Sequence, residues 1–297
     1  MTEHAESAIV IEGLRRSFSR KTVLAGITAK AGAGRVVGLL GRNGEGKTTL
    51  LRVLLDLLAA DSGRVEVLGM TPDGAGAIRA KVGYVPERPA FHDFMTVGQA
   101  LDLRRRFFPT WSADKAASLC ARLGLDLGLK VRDASKGAVG KLAWVCAAAH
   151  DPELFLLDEP TSGLDALVRD DILTSLISEL HDRGRTFLIA NHRMEEMAGL
   201  LDEVWVLGGA VLTTYDAGSL RKARRVFGRL KAASKPPVVG RALAVVEDGS
   251  LREWTVLDEE AAREIAASGA VEGLETLPVA FEETLKCLLA QAGGTKP

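Results

Sequence analysis

The sequence lacks any apolar run long enough to cross a bilayer. A membrane-spanning helix needs about 20 such residues, and the most apolar helical stretch, 50–60, is short and carries Arg52 and Asp56. Cysteine is scarce. Cys120, Cys146 and Cys287 are odd in number and far apart, which fits neither a disulfide framework nor a zinc-ligand spacing. Net charge is also nearly absent: 38 Lys and Arg stand against 39 Asp and Glu, for a formal charge of −1. Bulk attraction to nucleic acid is therefore not indicated, and no nucleic-acid partner is expected. Residues 1–7 are polar and have neither the basic start nor the apolar run of a secretory signal. No internal repeat or low-complexity tract stands out. Together these absences predict a soluble, intracellular chain.

What is present is an alternation of strand-like and helix-like segments along 297 residues, enough to bury a large core. Residues 8–14 and 22–29 read as strands around a turn at 18–21, and 35–40 as a buried strand ending at Gly41. The segment 47–58 is apolar almost all round, so its helix is expected to be sheathed by protein. Strand texture returns at 63–68 and 81–85. From Pro86 to about Lys141 helical patterns replace it, at 97–108 and 113–123. Core texture resumes with strands at 154–157, 186–190 and 204–207 and a helix at 166–181. Strands alternating with helices predict a mostly parallel sheet covered on both faces. Beyond Thr213 the pattern changes again. Two β-prone runs, 241–246 and 251–256, flank Asp248-Gly249, a hairpin signal, and helices follow at 258–267 and 280–291.

The chemistry begins at Gly41-Arg42-Asn43-Gly44-Glu45-Gly46-Lys47-Thr48, a G-x-x-x-x-G-K-[ST] loop between an apolar strand and a helix. Glycines let the backbone curl until successive N–H groups, including those of the helix start at Thr48 and Thr49, face an anion. Lys47 is placed to reach the β- and γ-phosphates of a nucleotide, and the Thr48 hydroxyl to ligate Mg²⁺. Glu45 is out of character, since an inward-pointing acid would repel phosphate; it is expected to point toward solvent or a partner. The second element is Leu154-Phe155-Leu156-Leu157-Asp158-Glu159, an apolar strand delivering two carboxylates at its C-terminal end, where open α/β sheets bind ligands. Asp158 suits the magnesium shell, and Glu159 the orientation or deprotonation of an attacking water.

With these motifs in place the sequence resembles the ATP-binding-cassette (ABC) ATPase family over residues 8–213. Asp158-Glu159-Pro160-Thr161-Ser162-Gly163-Leu164-Asp165 is similar to the family's Walker B motif joined to its D-loop. The resemblance implies that Asp165 lies at the nucleotide interface and that His192, after a strand at the H-loop position, hydrogen-bonds the γ-phosphate. It implies that Phe18 stacks on adenine. Val82-Gly83-Tyr84-Val85-Pro86-Glu87 resembles the Q-loop, with Glu87 replacing Gln as a group facing nucleotide and metal. Ala134-Ser135-Lys136-Gly137-Ala138 resembles the L-S-G-G-Q signature only in part. Ser135 and Gly137 keep the groups that would face a γ-phosphate, while Ala134 and Ala138 depart from the family.

The fold so implied is α/β: a P-loop ATPase core with an antiparallel β subdomain, an inserted helical subdomain at about 88–141, and a small α+β C-terminal domain at 214–297. ATP and Mg²⁺ are the implied cofactors. A second ABC ATPase subunit, with a homodimer favoured over a heterodimer, and a separate transmembrane permease are the implied partners, placing the chain in the cytoplasm on the inner face of the membrane. Ribosome-acting relatives resemble two linked cassettes, and chromosome or repair ATPases carry a long coiled coil between Walker A and signature. This chain has one cassette, and no sustained heptads separate Lys47 from Ser135. Transport is the expected role. The Ser-Lys-Gly signature and Glu87 are similar to the bacterial exporter ATPases that handle drugs, antibiotics, lipids or polysaccharides, as is the ending around Leu277-Pro278, and Phe108-Pro109-Thr110-Trp111 is similar to ATPases paired with small bacterial permeases.

Overall fold

The computed structural model describes residues 7–160, 174–191, 194–232, 234–240 and 242–292. Strands β1 (Ser7–Phe18) and β2 (Lys21–Gly32) form a hairpin around Ser19 and Arg20, followed by β3 (Val36–Leu40) and helix α1 (Lys47–Leu54). β4 (Ser62–Val67) returns to pair with β1, giving an antiparallel sheet in the order β2-β1-β4. The short helix α2 (Ala77–Lys81) leads into β5 (Val82–Val85). α1 stops short of the expected residue 58 for a local reason. Asp56 takes φ 55°, and the N–H groups of Asp56 and Leu57 turn back onto the carbonyls of Val53 and Arg52 at 3.0 and 2.9 Å. That is the left-handed helix stop usually made by Gly. The Asp56 carboxylate repays the strained backbone by accepting from Gly74 N–H and from Arg79.

The helical stretch comprises α3 (Val97–Arg105), α4 (Ala113–Leu123) and α5 (Lys136–Ala148). Each start is encoded by a hydroxyl. Thr96 and Gln99 form a reciprocal capping box on α3, Ser112 accepts from Lys115 N–H on α4, and Ser135 accepts from Ala138 N–H on α5. α5 runs across the boundary expected at 141: its first turn is partly exposed, while Leu142 to Ala148 are buried in the core.

The chain then alternates through β6 (Leu154–Asp158), α6 (Thr174–Asp182), β7 (Thr186–Ala190), β8 (Glu203–Gly208) and β9 (Val211–Asp216). These strands complete a six-stranded sheet in the order β5-β6-β7-β3-β8-β9, parallel except for β9. Every residue of β3, β6 and β7 is buried, as a sheet covered on both faces requires. Alternate side chains serve two cores. Leu154, Leu156, Leu188, Val37 and Leu39 face α1 and the antiparallel sheet, while Phe155, Leu157, Phe187, Ile189 and Leu40 face α5. Phe155 and Phe187 stack across neighbouring strands at 4.8 Å, with Trp144 of α5 against Phe155 at 6.4 Å.

The position expected to divide the domains, between 213 and 214, falls inside β9, which is paired to β8 along its length. After α7 (Ala217–Leu220) come β10 (Arg224–Leu230), β11 (Ala242–Asp248), β12 (Leu251–Val256), α8 (Glu259–Ala267), β13 (Val271–Pro278) and α9 (Phe281–Ala292). The four strands form an antiparallel sheet in the order β11-β12-β10-β13. α8 covers one face through Ala261 and Ile265, against Val226, Trp254 and Val256. α9 packs back onto the ATPase core through Leu285 and Leu288. β10 and β13 are not evident in the sequence, because their charged residues mask the strand period. Arg221, Arg224 and Arg225 each contact a side chain of another element. Arg224 pairs with Glu259 at 3.0 Å, Arg225 pairs with Glu253 at 2.8 Å and also with Glu283, and Arg221 lies 4.6 Å over the Phe281 ring.

The helical stretch is fastened to the sheet at His150. Its ring stacks on Phe108 at 4.0 Å, and its carbonyl accepts from the Thr110 hydroxyl at 2.7 Å. Burial pushes the imidazole down to about 4 from an ordinary value of 6.5, against raising contributions from the backbone of Cys146 and Val82. The folded chain holds this ring neutral, whereas the unfolded chain protonates it below about pH 6.5. Stability tied to His150 is therefore complete above pH 6.5 and lost progressively as pH falls toward 4. In urea unfolding, wild type is expected to lose about 2 to 3 kcal/mol relative to His150→Phe between pH 7.5 and 4.5; a pH-independent difference contradicts this.

Candidate functional site

Three parallel strands end at one level. In register, Leu39 of β3 lies beside Ala190 of β7, and Ala190 lies beside Asp158 of β6. The loop after β3 and the carboxylates ending β6 therefore meet across the end of β7, although more than a hundred residues of chain separate them.

The loop 41–46 carries the chain from β3 into α1. Gly41 has to be glycine, because a Cβ there would sit 2.7 Å from the Leu207 carbonyl oxygen. Gly46 takes φ 108° and packs against Val23, where a Cβ would come within 2.6 Å of the valine side chain. The first intrahelical bond runs from Leu50 N–H to the Gly46 carbonyl at 2.9 Å. The N–H groups of Lys47, Thr48 and Thr49 thus have no partner within the helix and point out of its positive end. Lys47 is only 6% exposed. Its ammonium donates to the carbonyls of Gly41 at 2.7 Å and Arg42 at 3.3 Å, and lies 3.8 Å from Glu159 Oε1.

From the other strand, Asp158 Oδ2 accepts a 2.7 Å hydrogen bond from the Thr48 hydroxyl. Burial raises the Asp158 carboxyl above its ordinary range; the Thr48 bond opposes this, while Glu87 and Glu159 add to it. Glu159 leaves the strand in the left-handed region at φ 49°, with its N–H bonded to the Ala190 carbonyl at 2.7 Å. A non-glycine residue in that region costs about 1–2 kcal/mol, and such outliers concentrate where geometry serves chemistry. Beside them Tyr84, at the end of β5, is pushed up to about 12 by burial and by Asp158.

These groups line one cleft of about 600 Å³ bounded by Phe18, Val23, Asn43, Gly44, Gly46, Lys47, Thr48, Thr49, Glu87, Arg88, Asp158 and Glu159. Phe18 is 45% exposed at the rim, with the Arg16 guanidinium 4.8 Å from its ring centre. An exposed aromatic at the mouth of a phosphate cradle suits a base-stacking role. Val23 and Arg88 had no motif to announce them. Five expected residues are absent from the cleft lining: Gly41 and Arg42, whose carbonyls hold the Lys47 ammonium, Glu45, and Ser135 and Gly137 at the start of α5. Asp165 and His192 lie outside the described residues, as does the first half of the helix expected at 166–181. Among the described residues, no group of three or more His, Cys, Asp or Glu side chains is placed to hold a metal ion.

A phosphate cradle on a helix start, a buried Lys, and a hydroxyl–carboxylate pair from the neighbouring strand ends define a P-loop nucleoside triphosphatase. Comparison with known proteins narrows the class. The ABC transporter family model matches residues 24–162. The chain is 33% identical over 205 residues to the ABC transporter ATP-binding protein YtrB of Bacillus subtilis (strain 168), spanning 69% of this chain and 70% of that one. It is 36% identical over 208 residues to the Nod factor export ATP-binding protein I of Paraburkholderia xenovorans (strain LB400), spanning 68% of each. In fold it is similar to the solved ATP-binding subunit of an ABC transporter, with a TM-score of 0.67 and 24% identity over 72% of this chain and 92% of that one. A dimeric ATP-binding cassette in a post-hydrolysis state with ADP and phosphate matches at 0.63 and 18% identity, over 70% and 98%. The chain belongs to the ABC ATPase family. It is an ATP-binding and ATP-hydrolysing subunit of an ABC transporter.

Without ligand, Asp158 is a buried acid beside two others. Removing its charge is expected to relieve that strain: Asp158→Asn should unfold a few degrees higher than wild type at pH 7 without nucleotide, and bind ATP more weakly when Mg²⁺ is present. Parallel losses in both readouts would mean that the carboxylate serves the fold rather than the ligand.

Proposed function

We propose that this ATPase drives a separate transmembrane permease as an exporter, working as a pair of identical subunits on the inner face of the membrane with Mg²⁺ as cofactor. The observation that carries the pairing is the position of Ser135. The Ser135 and Gly137 groups sit at the start of α5, with Ser135 exposed, and neither lines the cleft that holds Lys47, Asp158 and Glu159. One chain thus presents a cradle and, outside its lining, a second set of phosphate-suited groups. Two copies arranged head to tail bring each cradle against the other's Ser135. Ala134 and Ala138 weaken packing around the signature rather than its phosphate-facing groups.

The cleft suits magnesium by its donor chemistry. Thr48 and Asp158 offer hard oxygens 2.7 Å apart, and Glu87 lies close enough to Asp158 to raise its pKa. Mg²⁺ is commonly bound by one or two protein oxygens together with substrate phosphates and waters. When bound, the ion would neutralise charge on the phosphates. Lys47 would exchange its loop carbonyls for phosphate oxygens, and Glu159 would orient the attacking water.

Docking to a permease is supported by an apolar groove in the helical stretch, lined by Phe91, His92, Met95, Leu103, Arg104 and Phe107. Beside it Phe94 is 72% exposed, and Phe107 is itself 67% exposed. Such aromatic clusters on a charged surface mark interaction sites. No helix among the described residues is long and apolar enough to span a membrane. The export direction rests on the similarity to the Nod factor export ATP-binding protein I.

The test is capture of tagged Glu159→Gln from detergent-solubilised membranes in ATP and Mg²⁺. Two copies of the chain together with a multi-span membrane protein are expected. Phe107→Asp should lose the membrane protein and keep the pairing; Ser135→Arg should lose the pairing. Recovery of the chain alone, with ATP bound, contradicts the proposal.

A further inference from the structure

Glu45 is the one acid in the phosphate loop, and its side chain turns away from the cleft. Its Oε2 accepts a 2.9 Å hydrogen bond from the Gly209 N–H, in the turn between β8 and β9. Gly208 pairs with Val211, so Gly209 and Ala210 form a two-residue hairpin loop. Both have positive φ, 57° and 66°, which is the type I′ geometry that matches the twist of paired strands. Ala210 holds a conformation that disfavours any side chain, so this turn is kept by its surroundings.

Those surroundings are three. The Ala25 N–H of β2 donates to the Ala210 carbonyl at 2.9 Å. The Leu207 carbonyl lies against Gly41, leaving no room for a Cβ. On the far side Gly208 abuts Ala292 at the end of α9; a Cβ at 208 would come within 2.6 Å of the Ala292 side chain. The loop that forms the cradle is thus held at both ends by one hairpin turn, through Gly41 at its start and Glu45 next to its end. The same turn seats the last helix of the C-terminal region.

We propose that Glu45 is a positioning residue for nucleotide binding: it straps the cradle to the β8–β9 turn, and the seating of α9 on that turn sets how well the cradle is formed. This inference rests on the reading of the cleft as an ATP site. A carboxylate near phosphate has two effects of opposite sign. Its charge opposes an anion, whereas its hydrogen bond fixes the loop before the ligand arrives, lowering the ordering cost of binding. Glutamine removes the charge and keeps the acceptor. Alanine removes both.

The experiment compares the affinity of a fluorescent ATP analogue for wild type, Glu45→Gln, Glu45→Ala, Gly208→Ala and Lys47→Ala, with thermal unfolding of each as a check on folding. Glu45→Gln is expected to bind at least as tightly as wild type, and Glu45→Ala about tenfold more weakly than Glu45→Gln, a ratio from which the charge effect cancels. Gly208→Ala, which displaces the end of α9, should weaken binding in wild type and have a smaller effect in the Glu45→Ala background. Equal affinities for Glu45→Gln and Glu45→Ala, whether tighter than wild type or not, overturn the strap. Full additivity of Gly208→Ala and Glu45→Ala overturns the link to α9. Unchanged binding by Lys47→Ala would instead overturn the ATP site itself, so the two failures are distinguishable.

Discussion

The hydrogen bond from Thr48 to Asp158 joins the two halves of this molecule's chemistry. Its partners belong to elements on either side of β7 and can meet only if β3, β7 and β6 are adjacent, parallel and ended at the same level. Each strand is wholly buried, so the sheet's order and register are fixed by packing on both faces rather than by the site. The core therefore holds the catalytic geometry before any ligand is present. Preorganisation of this kind makes electrostatic stabilisation effective, since the groups need not reorganise when charge arrives.

What the core holds in place is electrostatically unbalanced. Asp158, Glu159 and Glu87 line one cleft with Lys47 and the exposed Arg88. Burial raises Asp158, the neighbouring acids raise it further, and Glu159 keeps a left-handed backbone. A structure optimised only for stability would not gather three carboxylates around a desolvated lysine. The arrangement becomes balanced when a divalent cation and a polyphosphate enter together: the cation meets the acids, and the phosphates meet Lys47 and the free N–H groups of α1. Neither ligand alone answers both halves.

Much of this was legible in the residues. The phosphate loop and the Leu154-to-Glu159 strand declare themselves because their chemistry demands fixed spacing, and the buried strands because continuous apolar runs have few other fates. The outward turn of Glu45 followed from charge repulsion alone. Its partner did not, because Gly209 is far along the chain and a backbone N–H leaves no trace in sequence. β10 and β13 were hidden by their charged residues, and the partners of Arg224 and Arg225, Glu259, Glu253 and Glu283, come from other elements. Asp56 disguised a helix stop usually written with glycine, and α5 obscured the end of the helical stretch by serving both the surface and the core.

Replacement of Mg²⁺ by Mn²⁺ allows the joint requirement for cation and nucleotide to be measured by electron paramagnetic resonance. Free Mn²⁺ loses its aqueous signal on binding, so a titration reads occupancy directly. With ATP present, one Mn²⁺ per chain is expected to bind tightly in wild type and at least tenfold more weakly in Thr48→Val, while without nucleotide neither protein should bind it tightly. Tight Mn²⁺ binding in the absence of ATP, or equal binding by the two proteins in its presence, would contradict a site completed by metal and phosphate together.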